Sequence, residues 1–123
     1  MELFYIDDSK HDIFFLTYQA KNQTAIDTIT TFLTGGEAVA ALRQRIDRRE
    51  ALPDAIVIDL YMPGSDGCDV LREIAEMEGS GGILLGVCSG SSSEFDHDRA
   101  MQAGAAAFFD KPLDLALVAT RCA

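Results

Sequence analysis

Five side chains in this sequence have the types and placement to do chemistry together: Asp7, Asp8, Asp59, Ser89 and Lys111. Each stands just beyond a short apolar run. Leu3–Ile6 is followed by Asp7 and Asp8, Ala55–Ile58 by Asp59, Ile83–Cys88 by Ser89, and Ala105–Phe109, one residue further on, by Lys111. If those runs are strands of one sheet, three carboxylates, a hydroxyl and an ammonium converge on one edge of it. Clustered carboxylates repel one another and need raised pKa values unless a cation joins them. A hard divalent ion meets that need, and Mg²⁺ suits it best, because it uses one or two carboxylates, keeps several waters and accepts a phosphate oxygen. An Asp carboxylate can also act as a nucleophile and form an acyl phosphate. Phosphoryl transfer then requires positioning and charge neutralisation more than covalent help. The Lys111 ammonium, the Ser89 hydroxyl and the cation would supply that around the equatorial oxygens.

The elements that must position these groups follow from the pattern between them. None of the four runs alternates with polar residues, which is how strands covered on both faces of a parallel sheet read. Thr24–Leu33 is rich in Thr and Ile and partly alternating, and predicts a less buried edge strand. A helix is expected over Ser9–Lys21, with a broad apolar face of Ile13, Phe14, Phe15, Leu16 and Tyr18. Val39, Leu42 and Ile46 are spaced for a second over Gly36–Arg49. Val70, Leu71 and Ile74 mark a third, with Asp66 as N-cap, Asp69 three residues later as in a capping box, and Gly79–Gly82 as its end. A weaker helix covers Glu94–Ala103 with Gly104 as its stop, and a last one starts near Asp114. Strand and helix alternate five times, the signature of an α/β fold with an open, doubly wound parallel sheet, (βα)5, in a single domain over residues 1–123. Ligands of such sheets bind beyond the C-terminal strand ends, where the five residues stand.

Composition narrows the function classes. The net charge is -10, a field that repels nucleic acid and anionic lipid. The one basic cluster, Arg43, Arg45, Arg48 and Arg49, is interrupted by Asp47 and Glu50 and reads as a solvated helix face. No stretch approaches the roughly 20 apolar residues of a membrane span, and Asp7 and Asp8 break the N-terminal apolar run, unlike a signal peptide. Cys68, Cys88 and Cys122 form no C-x-x-C pair and, with His11 and His97 far apart, no zinc pattern. Free thiols fit a reducing compartment, so the chain is expected in the cytoplasm. Cys88 reads as a small buried side chain, and both histidines as exposed.

The segment Ile58–Gly67 (I-D-L-Y-M-P-G-S-D-G), with Asp7–Asp8, Ser89–Gly90 and Lys111–Pro112 each after its strand, resembles the receiver domain of bacterial two-component response regulators. The resemblance covers nearly the whole chain. It implies the flavodoxin-like strand order 2-1-3-4-5, and Asp59 as phosphoacceptor for a histidine kinase or histidine phosphotransfer protein. It further implies that Asp8, Asp59 and the Tyr61 carbonyl hold Mg²⁺, that Asp7 acts mainly through metal-bound water, and that Lys111 contacts the phosphoryl group. Ser89 would swing toward that group, and Phe108 would be the switch aromatic that moves inward. A downstream protein target would read the face made by the fourth helix, fifth strand and fifth helix, and two copies of the chain could pair. The Lys111–Pro112 bond is often cis in the family. Phe108 stands where relatives often have Tyr, and so lacks a phenol to anchor it. Asp110 adds a negative charge beside Lys111 and should point away from it. Extra length near Arg48–Asp54, with Asp7–Asp12 (D-D-S-K-H-D), is similar to receivers that partner phytochrome-type kinases. With so short a stretch after Pro112, no output domain is expected.

Two other classes fit less well. A module that only binds partners through this fold would not need the acidic trio and Lys111. An enzyme on a similar sheet would differ in the first loop: a flavodoxin needs a Ser/Thr/Gly-rich phosphate loop where Asp7, Asp8 and Asp12 stand. An aspartate-dependent phosphatase would normally carry its nucleophile after the first strand, together with a cap domain.

Overall fold

The computed structural model describes residues 1–90 and 93–122. Its elements run β1 (Glu2–Ile6), α1 (Lys10–Ala20), β2 (Thr28–Phe32), α2 (Gly35–Asp47), β3 (Ala55–Asp59), α3 (Gly67–Ala75), β4 (Leu84–Ser89), α4 (Glu94–Gln102), β5 (Ala107–Asp110) and α5 (Leu115–Cys122). The five strands pair in parallel in the order β2-β1-β3-β4-β5. This is the expected α/β architecture, with the order reversing between β1 and β3. The sequence pattern did not signal a short antiparallel hairpin after β3, in which Tyr61–Met62 pairs with Ser65–Asp66.

Because successive strand residues point to opposite faces, each strand feeds two cores. Phe4, Ile6, Ile56, Ile58, Leu85 and Val87 pack under α2, α3 and α4. Leu3, Tyr5, Val57, Cys88, Ala107 and Phe109 pack under Leu16 of α1 and Leu115 and Val118 of α5. β3 is buried along its whole length, as its uninterrupted apolar run requires.

Several local expectations are corrected. β2 is shorter than Thr24–Leu33, since Gln23 diverts the chain: its side-chain amide donates to the Ile26 carbonyl and its carbonyl accepts from the Ile26 N–H. In α1 only Leu16 is buried, whereas Phe14, Phe15 and Tyr18 are exposed. The helix is oriented instead by Gln19, which donates to the Leu113 carbonyl and accepts from the Leu115 N–H, each at 2.8 Å. Arg45 is not part of a solvated basic face. It holds both carboxylate oxygens of Glu2 at 2.6 and 2.8 Å and lies over the Phe4 ring, while Arg43 and Arg48 pair with Glu73 and Glu50. Asp66 caps α3 through the Cys68 N–H, but Asp69 pairs with Arg72 rather than completing a capping box. That helix stops at Ala75, and Ser80–Gly82 forms a separate 3₁₀ turn. β5 begins at Ala107, two residues after the start of its apolar run, because the Ala105 N–H is still bonded to the Ala100 carbonyl of α4. His11 and His97 are exposed and Cys88 is buried, as expected. Asp110 is exposed, which leaves Lys111 to the pocket.

One glycine sets how closely α3 approaches β3. A Cβ on Gly67 would lie 2.6 Å from the Asp59 carbonyl oxygen and 3.0 Å from Leu60 Cα, both backbone atoms that cannot turn aside. Gly67→Ala is therefore expected to lower the unfolding free energy by roughly 1–3 kcal/mol, as overpacking does. Urea denaturation monitored by circular dichroism measures it.

Candidate functional site

The parallel register brings the ends of β1, β3, β4 and β5 to one edge. Asp7 is fixed there by its own backbone, whose N–H donates to the Phe32 carbonyl at 3.0 Å. Its carboxylate is fully buried. Oδ1 accepts from the Ser9 N–H at 2.9 Å, and Oδ2 accepts from the Tyr5 hydroxyl at 2.7 Å and from Lys111 at 3.0 Å. Asp8 is exposed at the mouth, and Asp59 closes β3. One oxygen from each of Asp7, Asp8 and Asp59 lies within 4.8 Å of the others. Lys111 enters from the loop after β5, where its N–H bonds the Ser89 carbonyl at 3.0 Å and a cis peptide precedes Pro112. Its ammonium reaches three carboxylates: Asp12 at 2.8 Å, Asp7 at 3.0 Å and Asp59 at 3.3 Å.

The electrostatics follow from burial. Loss of water around Asp59 is the main effect, the Asp7 charge adds to it, and Lys111 opposes both; the net result lifts the Asp59 carboxyl to about 6. Lys111 shows the reverse balance. Burial works against its charge, yet bonds to Asp12 and Asp7 outweigh that and hold the ammonium above its ordinary value. Asp12 is held below the usual carboxylate range by its bond to Lys111. Three carboxylates thus share one ammonium, Asp8 adds a fourth negative charge beside them, and the pocket keeps a large negative excess. A hard cation with oxygen ligands fits this donor set, with exposed Asp8 leaving a face open to water.

Ser89 is buried at the end of β4, opposite Asp110 of β5. Ser91 and Ser92, in the Ser/Gly run that follows, lie outside the described residues. Phe108 is half-buried, packs against the α2–α4 core and has its ring centroid 5.5 Å from that of His97. The Tyr61 N–H approaches Asp59 Oδ1 at 3.4 Å.

Four features were missed by sequence reasoning. Asp12 shares Lys111 with Asp7 and Asp59; an acidic residue in the first turn of α1, one turn beyond the Asp pair, was the available signal. Tyr5 donates to Asp7 from inside the core, which a lone Tyr in an apolar run does not announce. The Tyr61 phenol bonds Asp96, a carboxylate of α4 that is 3% exposed. Arg99, one turn further along α4, pairs with Asp66 at 2.8 Å, and its guanidinium lies over the Tyr61 ring.

Comparison with known proteins agrees with this geometry. A family model described as the response regulator receiver domain matches residues 3–122. The chain is 36% identical over 86 residues to protein-glutamate methylesterase/protein-glutamine glutaminase 5 of Myxococcus xanthus, covering 67% of this chain and 24% of that protein. It is 31% identical over 88 residues to chemotaxis protein CheY of Thermotoga maritima, covering 71% of each. It spans about a third of the transcriptional regulatory protein PrrA of Mycobacterium tuberculosis, with 34% identity over 93 residues that cover 76% of this chain and 36% of PrrA. Among solved structures, the phosphorylated cyanobacterial phytochrome response regulator RcpA superposes with a TM-score of 0.76 at 30% identity, covering 98% of this chain and 87% of that one. Vibrio cholerae CheY4 shares the fold with a TM-score of 0.83 at 18% identity, over 99% and 98% of the two chains.

Burial penalises a charged Asp59 in the folded chain alone. Between 3.8 and about 6 the folded state therefore binds more protons than the unfolded one. Stability falls as pH rises through that window and stays at the lower level above it. Asp59→Asn has no charge to bury. In metal-free buffer near neutral pH it is expected to exceed wild type by roughly 1–3 kcal/mol. The difference should fade below about pH 4 in urea melts taken across the pH range.

Proposed function

Since the chain belongs to the response regulator receiver domain family, we propose that Asp59 accepts a phosphoryl group from a histidine kinase or histidine phosphotransfer protein. The observation that carries this is the position of Asp59: it ends a fully buried strand, its carboxylate is 3.3 Å from Lys111, and it shares a 4.8 Å oxygen cluster with Asp7 and Asp8. An Asp59 carboxylate oxygen attacks phosphorus, a P–O bond forms, and the bond to the donor nitrogen breaks with its electron pair. Lys111 already points at the acceptor, so it neutralises the incoming oxygens without reorganising. The Ser89 hydroxyl, at the end of the adjacent strand, serves as a further donor. Asp8, Asp59 and the Tyr61 carbonyl would hold Mg²⁺, with Asp7 acting through its water. Bound Mg²⁺ would supply the charge that lets three carboxylates and a phosphate share one pocket.

Mg²⁺ with acetyl phosphate, followed by intact-mass measurement, tests the acceptor. Wild type is expected to gain the mass of one phosphoryl group and Asp59→Asn none. A full adduct on the Asn variant would overturn the assignment.

The signal then leaves through α4, β5 and α5, the face offered to a downstream protein. Ser89 and Phe108 lie on adjacent strands, and a hydroxyl drawn toward phosphate vacates space for the ring, a two-state element biased by a local charge. Phe108 has no hydroxyl of its own, so packing alone, including the His97 contact, sets its position. Beryllofluoride, which mimics the phosphoryl group, is expected to change amide hydrogen exchange across Ser89–Gly104 and around Phe108. Changes confined to the loops of Asp8 and Asp59 would sink this route.

A further inference from the structure

Strand alternation puts Leu3, Tyr5 and Asp7 on one face of β1. Leu3 and Tyr5 lie in the core beneath α1 and α5, among Val57, Cys88, Phe109 and Leu115. A phenol there is costly unless its hydroxyl finds a partner. The partner is the innermost carboxylate of the site: the Tyr5 hydroxyl donates to Asp7 Oδ2 at 2.7 Å, with the Cys88 thiol 3.8 Å away. Burial, together with these neighbours, raises the phenol's pKa and keeps it a donor.

Asp7 therefore has three donors from three parts of the chain. The Ser9 N–H holds Oδ1, and Lys111 and Tyr5 share Oδ2. They are not equivalent. Lys111 carries its charge on a flexible stem and divides it among Asp12, Asp7 and Asp59. Any new negative charge on Asp59 draws that ammonium toward itself. The Tyr5 ring is locked in the core, and among the described residues its hydroxyl bonds no carboxylate but Asp7. It is the donor to Oδ2 that stays when Lys111 is recruited elsewhere.

We infer that Tyr5 is a positioning residue of the cation site: its buried phenol holds Asp7 with its remaining lone pairs turned toward Asp8 and Asp59. This rests on the cation and phosphoacceptor reading above. It goes beyond that reading in assigning a role to a core residue that touches neither metal nor phosphoryl group.

Tyr5→Phe keeps the ring, the volume and the strand, and removes the donor alone. Calorimetric titration with Mg²⁺ is expected to show about tenfold weaker binding, the size of one hydrogen bond to a charged group. Phosphorylation by acetyl phosphate should need correspondingly more Mg²⁺ for half-maximal rate, while the rate at saturating Mg²⁺ stays close to wild type. Cys88→Ala removes the thiol beside the phenol and perturbs the same core pocket, but leaves the Tyr5–Asp7 bond in place and should leave Mg²⁺ affinity unchanged. Equal affinities in wild type and Tyr5→Phe overturn the inference, whatever happens to the melting temperature. So does an equal loss in Tyr5→Phe and Cys88→Ala, which would mark the effect as packing. Absence of Mg²⁺ binding to wild type, with Asp8→Ala as reference, overturns the cation reading and this inference together.

Discussion

The repulsion among Asp7, Asp8 and Asp59 is the constraint around which the structure is arranged. Three carboxylates with oxygens inside a 4.8 Å cluster are unfavourable company, and two of them are buried. Within the chain the answer is Lys111, whose ammonium is spread over Asp12, Asp7 and Asp59. It is an incomplete answer, because one positive charge faces four negative ones. Burial, with the Asp7 charge added to it, lifts the Asp59 carboxyl to about 6, and the residual excess makes the pocket receptive to a cation. A better-neutralised pocket would be more stable, but its carboxylates would be masked by permanent partners.

Holding like charges together requires a frame that does not relax. The strands supply it through register: Asp59 sits opposite Cys88, Ser89 opposite Asp110, and Ile6 between Phe32 and Ile58. Each contact is paid for by apolar burial on both faces of the sheet, above all along β3. Close approach matters as much as hydrophobicity. The backbone of α3 reaches the Asp59 carbonyl only because Gly67 has no side chain.

The fold and the centre of the site were legible in the sequence because both rest on local patterns. Short unbroken apolar runs named the strands, and the residues after them named Asp7, Asp8, Asp59, Ser89 and Lys111. What stayed hidden depends on direction rather than type. The apolar residues of α1 could not be sorted into buried Leu16 and exposed Phe14, Phe15 and Tyr18, since Gln19 and the Leu113–Leu115 segment set the helix rotation. Arg45 looked like one of four equivalent arginines, but its place near the end of α2 brings it over Phe4 and onto Glu2 of β1. Tyr5 meets Asp7 through strand alternation and Asp12 meets Lys111 through tertiary placement, and residue type alone announces neither contact.

The loop that follows Asp59 is tied to α4 at two points. Tyr61 bonds Asp96, and Asp66 pairs with Arg99. On the helix the two anchors are one turn apart and share a face; on the loop they bracket the hairpin. In mechanical terms a rod pinned once can swivel about the pin, whereas a rod pinned twice along its length cannot. α4 therefore has no free rotation relative to the loop after Asp59. Any displacement of that loop is delivered to the helix as a push or a tilt of the whole rod, and turning the helix about its long axis requires that one pin first be drawn.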